Sequence, residues 1–337
     1  MRKYWPIGIV LIVVVVYLLG PKPAPPTYSI YPNIYKGLQA SQVAIATTAA
    51  EAAVPSIKPG NQARVIWAND TVRQKTKYSI LYLPGFTATG EEGAPIHTNI
   101  AKKFGCNLYI ARLAQHGLQS EDAFETLTAE TYWKSALEAL YAAEQLGDSV
   151  LIMSTSTGGT LSLLLCANNA INSKIAGNIM MSPNIEIFDS KATILNNPWG
   201  LQIARIIKGG NYIESTDQRD IFKKHWYSKF RLEGAIAVQE LIETGMNEKN
   251  FAQITQPQLL LYYFKNEQQQ DNVVSVPAMQ KMFIALATPS NAKVEKAVPD
   301  AGDHVIGSYI KSKDLLTVQT SIEQFMMQKK YLIPLAQ

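Results

Sequence analysis

Cysteine is scarce in this 337-residue chain: only Cys106 and Cys166 occur, each inside an apolar run (FGCNLYI and LLLCANN). Two such thiols read as small buried hydrophobes. The sequence has no CxxC and no Cys/His cluster of zinc-like spacing, which excludes a disulfide scaffold and a structural zinc site. Histidine is nearly as rare, with four residues, so the search for a general base is short. Charged residues make up 17% against 47% hydrophobic, too apolar for a disordered chain and too charged for a multi-pass membrane protein. A charge excess of one sign is missing as well. The net +4 includes Arg2, Lys3 and Lys22 within the first 30 residues, where no acid occurs, and leaves the rest at +1. A near-neutral body lacks the basic surface that a phosphate backbone needs, so nucleic acid is not an expected partner.

One long apolar run is present. After Met1-Arg-Lys comes YWPIGIVLIVVVVYLLG, uncharged and at the lower limit for crossing a hydrocarbon core of roughly 30 Å. Its flanking cations predict a transmembrane signal anchor over residues 1–20, with a cytoplasmic N-terminus and a non-cytoplasmic (periplasmic or extracellular) body. The competing reading is a cleaved signal peptide and a secreted product, although Leu18-Leu19-Gly20 before Pro21 is a poor cleavage site. PKPAPP opens a Pro-rich linker (21–33) expected to stand as an extended spacer. The Ala-rich stretch that follows predicts an appended helix within 34–58.

Beyond residue 60 the chain alternates short apolar strands with amphipathic helices. ARVIWA (63–68), YSILYLP (78–84), NLYIARL (107–113), DSVLIMSTS (148–156), KIAGNIMMS (174–182), QPQLLLYYF (256–264) and AKVEKAV (292–298) read as strands. Helices are predicted over 95–105 and 129–147, in GGTLSLLLCANNA, and in the two apolar-periodic stretches VPAMQKMFIAL and SKDLLTVQTSIEQFMM. Strands separated by helices pair in parallel, because parallel neighbours need crossover connections. The expected architecture is α/β: an open, mostly parallel sheet with helices on both faces, over residues 59–330. Sites in such sheets lie beyond the carboxyl ends of the strands.

Three of those ends carry suggestive chemistry. Ser154-Thr155-Ser156-Thr157-Gly158-Gly159 is a small-x-Ser-x-small turn between a buried strand and a helix, the arrangement of a nucleophile elbow. A Ser/Thr-rich helix cap is the plain alternative. A serine needs a base to take its proton. Among the four histidines, His304 in VPDAGDHVIGS directly follows the last strand, whereas His97 and His225 read as surface or packing residues. The base needs a carboxylate; Asp271 in the loop after QPQLLLYYF is preferred, Glu267 in the same loop is second and Asp303, adjacent to the histidine, third. The amides of Phe86 and Thr157 are the expected oxyanion donors.

These residues resemble the α/β-hydrolase superfamily, and in particular its monoacylglycerol-lipase-like and carboxylesterase branch. LPGFTATGEEG is similar to that branch's oxyanion loop, with Pro84 where histidine usually stands. ARLAQHGLQS is similar to its Gly-His-Gly segment, in which the histidine, here His116, is structural. The resemblance implies a helical cap insertion at about 185–255, with NPWGLQIARIIKGG and KHWYSKFRLEGAIAVQELI as helices. Trp199, Ile203, Ile206, Trp226, Tyr227 and Phe230 on them would either line an acyl pocket or pack the cap onto the sheet. The function expected is a membrane-anchored serine hydrolase cleaving small-molecule esters with an apolar acyl chain through Ser156, His304 and Asp271, without metal or organic cofactor. A peptidase or amidase of the same fold and an inactive interaction module are the alternatives.

Overall fold

The computed structural model describes residues 5–328, with side chains from residue 9. Eleven strands and eleven α-helices occur among the described residues. In chain order they are α1 (Trp5–Leu18), α2 (Ala40–Ala52), β1 (Arg64–Ile66), β2 (Thr76–Leu83), α3 (Ile96–Phe104), β3 (Asn107–Ile110), α4 (Ala129–Leu146), β4 (Gly147–Thr155), α5 (Thr157–Ala167) and β5 (Ile175–Met181). There follow α6 (Gly200–Lys208), β6 (Tyr212–Glu214), α7 (Asp220–His225), β7 (Lys229–Arg231), α8 (Leu232–Gly245), α9 (Glu248–Phe251), β8 (Gln258–Tyr262), β9 (Phe264–Asn266), β10 (Gln269–Gln270), α10 (Val276–Ala285), β11 (Lys293–Ala297) and α11 (Leu315–Gln328).

Seven strands form one sheet in the order β1-β3-β2-β4-β5-β8-β11, every pair parallel except β1 with β3. Apolar runs such as SILYL and VLIM serve both faces, because successive side chains point to opposite sides of a strand. Leu81, Leu83, Ile152, Met180 and Leu260 pack on one face with α4, α5, α8 and α10. Ile80, Tyr82, Leu151, Met153, Ile179 and Leu259 pack on the other with α3 and α11. The helix stops are local: Thr128 caps α4 by accepting the Thr131 N–H at 3.1 Å, and α3 ends at Gly105 in the left-handed region (φ 62°).

The expected helices between β5 and β8 are present only in part. NPWGLQIARIIKGG contains α6, but the run from Lys224 to Ile242 is not one helix. Tyr227 N–H donates to Thr87 O at 3.0 Å, Arg231 N–H donates to Ala123 O at 2.9 Å, and β7 pairs antiparallel with β6. Those long-range bonds hold 226–231 extended, and α8 starts at Leu232. The polar Gln-rich stretch after β8 folds back as the β9–β10 hairpin.

The membrane anchor expected over 1–20 is overturned. Residues 1–4 lie outside the described residues; of the rest, Trp5–Leu18 forms α1, 14 residues long, about 21 Å at 1.5 Å per residue against roughly 30 Å of hydrocarbon. Among the described residues no helix is long and apolar enough to cross a membrane. The single-pass topology falls with the anchor, and with it the expectations built on a spanning helix: a body placed outside the cytoplasm by that helix and a membrane held through it. The segment after α1 lies along the body instead of standing off it. Trp199 Nε1 donates to Val16 O at 3.0 Å and Trp199 N–H to Pro21 O at 2.9 Å. Further along, the Glu130 carboxylate accepts the N–H groups of Thr27, Tyr28 and Ser29 at 2.7–3.1 Å, and Trp133 Nε1 donates to Ser29 O.

Candidate active site

The turn from β4 into α5 is forced into an unusual backbone. Ser156 has φ 53° and ψ −122°, a region that L-residues avoid unless the surroundings hold them there. The holding is visible: Ser156 N–H donates to Met181 O at 3.1 Å, and its carbonyl accepts Gly159 N–H at 2.8 Å and Asn184 N–H at 2.9 Å. The small residues beyond the serine are obligatory. A Cβ on Gly158 would stand 2.1 Å from Leu83 O, and one on Gly159 would stand 2.5 Å from Pro183 Cβ. Ser156 therefore sits at the N-terminus of α5, 8% exposed, at the carboxyl edge of the sheet.

His304 comes from the loop after β11, and Asp271 directly follows the β9–β10 hairpin that extends β8. His304 Nδ1 and Asp271 Oδ2 are 2.6 Å apart, and Asp271 Oδ1 accepts the N–H groups of Val273 and Val274 at 2.9 and 3.0 Å. Burial alone would raise the Asp271 carboxyl, but the His304 charge, its hydrogen bond and the two amides outweigh it, and the group is held below its ordinary range. Burial pulls the His304 imidazole down, yet the Asp271 carboxylate leaves it above its ordinary value. With Nδ1 bonded to a carboxylate, Nε2 is the nitrogen free to accept a proton. That atom is buried and has no hydrogen-bond partner among the described residues, so Ser156 Oγ is not bonded to it in this structure. Both side chains line one cleft of about 720 Å³. Bonds between nucleophile and base are often long in an empty site and tighten when substrate binds.

Of the other acids expected as alternatives, Asp303 lines the same cleft and Glu267 does not, and neither is bonded to His304. Glu267 is exposed at the tip of the β9–β10 hairpin, and Asp303 Oδ1 accepts the Val305 N–H at 2.9 Å. Phe86 and Thr157 both line the cleft, and neither amide donates to a backbone carbonyl among the described residues. The Phe86 ring packs on Phe124 (4.8 Å) and Phe230 (5.1 Å), while His116 lies behind, bonded to Ala114 O and the Tyr132 hydroxyl and lowered to about 3 by burial. His116 is thus a neutral packing group. His97 and His225 are also buried, bonded to Gly90 O and Asn61 Oδ1.

The apolar wall of the cleft is Phe86, Phe222, Trp226, Tyr227, Phe230 and Val238. Trp226, Tyr227 and Phe230 were among the residues expected there. Trp199, Ile203 and Ile206 are not; Trp199 binds the α1 end and Ile206 is 81% exposed. The polar lining includes Gln268, Gln270, Asn272 and Lys311. Among the described residues no group of three His, Cys, Asp or Glu is arranged to hold a metal ion.

One buried acid went unnoticed in the sequence. Glu92 is 2% exposed and lines the same cleft. In GEEG it looks like half of a solvated acidic pair, and nothing local tells it from the partly exposed Glu91.

No protein-family model matches the chain, and no curated protein sequence does. Solved structures do. A metagenome-derived lipolytic enzyme of the LipS and LipT pair superposes with a TM-score of 0.62 at 15% identity, covering 82% of this chain and 100% of that one. The chain has the α/β-hydrolase fold. A soluble variant of monoglyceride lipase from Saccharomyces cerevisiae gives 0.59 at 10% identity over 81% of this chain and 93% of its own. The monoacylglycerol lipase of Paleococcus ferrophilus gives 0.57 at 12%, over 79% and 98%. At such identities the likeness concerns the fold alone.

Proposed function

We propose that this α/β-hydrolase-fold protein is a serine hydrolase that cleaves carboxylic esters, of the monoacylglycerol-lipase-like and carboxylesterase kind. The observation that carries the reading is the 2.6 Å bond from Asp271 to His304, which leaves Nε2 unpartnered in the cleft that Ser156 lines. In this mechanism Ser156 Oγ attacks the ester carbonyl carbon while His304 Nε2 takes the hydroxyl proton. Asp271 holds the tautomer and stabilises the imidazolium. The oxyanion is met by the amides of Phe86 and Thr157, at the positive end of α5. Collapse breaks the C–O bond to the alcohol, which leaves with the proton from His304. Water then attacks the acyl-Ser156 carbonyl, gives its proton to His304, and the acid departs as the proton returns to Oγ.

The apolar wall from Phe222 to Phe230 supports an apolar acyl arm, which fits a lipid-like or aromatic ester. The test is turnover of a nitrophenyl ester series beside aminoacyl anilides. Ester hydrolysis that disappears in Ser156→Ala and His304→Gln is expected; anilide turnover above ester turnover would favour an amidase. A folded protein inert to both would remove the enzymatic reading.

A further inference from the structure

Glu92 makes no ion pair with a Lys or Arg among the described residues; the charged group acting on it is His304, and uncharged donors hold its carboxyl. Its Oε2 accepts the Gly85 N–H at 2.6 Å and the Tyr82 hydroxyl at 3.3 Å, and that hydroxyl is also 3.0 Å from Thr155 Oγ1. Gly85 is the second residue of the loop after β2; Thr155 is the last residue of β4, next to Ser156. A short polar chain thus runs from the residue before the serine, through Tyr82 and one buried carboxyl, to the Pro84–Gly85 peptide, one residue ahead of the Phe86 amide. The fit is close. A Cβ on Gly85 would stand 2.9 Å from Ser156 Cβ and 2.9 Å from Glu92 Oε1. The carboxyl itself is held from behind, since Tyr82 packs edge-on against buried His97 (4.7 Å), and Gly93 leaves room for that ring.

We propose that Glu92 is a positioning residue of the oxyanion hole: by accepting the Gly85 N–H it fixes the Pro84–Gly85 peptide beside Ser156, the plane from which the next peptide, with the Phe86 N–H, departs. The inference rests on the ester-hydrolase reading. The bond is short and shielded from water, and it becomes charge-assisted once Glu92 is ionised. Without it the Phe86 amide is held on one side only, by the 3.3 Å bond from Ala88 N–H to Gly85 O, while the Pro84–Gly85 peptide ahead of it can turn, because Gly85 tolerates many backbone conformations and Pro84 has no N–H to add a second anchor. Misplacing one oxyanion donor weakens the transition state more than the bound ester.

The experiment compares Glu92→Met, which fills the volume without an acceptor, with Glu92→Gln, which keeps an oxygen for Gly85. In nitrophenyl ester hydrolysis Glu92→Met should lose kcat by about ten- to a hundredfold with KM within about twofold, and Glu92→Gln should recover most of that loss. If the Met variant fails to fold by circular dichroism, Glu92→Asp replaces it: the carboxylate is withdrawn by one methylene, and the same kcat loss is expected. Full kcat in either acceptor-removed variant overturns the proposal. So does a Gln variant as impaired as the others, or a loss confined to KM. An inactive wild type would instead remove the ester-hydrolase reading itself, so the two failures are distinguishable.

Discussion

The Glu92 carboxyl makes stability depend on pH in a direction opposite to most acids. Burial raises it from 4.5 to about 7, against the pull of the Gly85 amide, the His304 charge, Tyr82 and Trp226. Its folded value lies above its unfolded value. As pH climbs through about 4.5 the unfolded chain therefore releases this proton first, and the native state is destabilised until about pH 7, where Glu92 ionises in place. At about 1.4 kcal/mol per unit, the displacement corresponds to about 3 kcal/mol of stability lost across that window. Glu92→Gln removes the ionisation. Whatever its fixed effect, its stability relative to wild type should climb by about 3 kcal/mol between about pH 4.5 and pH 8. The assay is urea unfolding of both proteins at several pH values, read as the difference between the two curves. The His304 charge interacts with Glu92, so the comparison is repeated in a His304→Gln background, where the slope should persist. A difference that stays flat with pH in both backgrounds would refute the account of a carboxyl raised by burial.

Asp271→Asn leaves the imidazole without its anion and should lower kcat by about 10³–10⁴-fold with a smaller change in KM, measured by ester turnover. In wild type, kcat/KM should rise with pH as His304 becomes neutral, with a midpoint above the ordinary histidine value; Asp271→Asn should move that midpoint down. Gly158→Ala drives a methyl into Leu83 O and Pro84 O, so it should destabilise by several kcal/mol or prevent folding, as thermal unfolding would report. Trp199→Ala removes the hydrogen bond to Val16 and the surface beneath Gly20, and should speed limited proteolysis before residue 27 while ester turnover is retained.

What was legible in the sequence is what is encoded locally. Ile80, Leu81 and Tyr82 alternate between two cores that are continuous apolar runs in sequence, and the crossover rule then gives parallel strands and a carboxyl edge. Ser156 was readable because strand, tight turn and helix lie within a few residues of it. His304 and Asp271 are 33 residues apart, but each follows the end of a strand, and strand ends can be counted. The rest depends on partners remote in sequence. The break at Trp226–Arg231 is set by Thr87 and Ala123, and the path of residues 27–31 by Glu130, more than 90 residues away in every case. Glu92 needs Tyr82 and Gly85 to be folded around it before it differs from Glu91. The error over residues 1–20 has its own cause: a 17-residue apolar run measures hydropathy, whereas spanning needs helix length, and α1 stops at Leu18 ahead of Gly20-Pro21.

The most direct test of the central claim is a fluorophosphonate probe followed by peptide mass mapping. One adduct per chain, on Ser156, blocked by prior ester turnover inhibitors and absent in Ser156→Ala, is the predicted result. A folded, unlabelled wild type, or an adduct on any other residue, would contradict it.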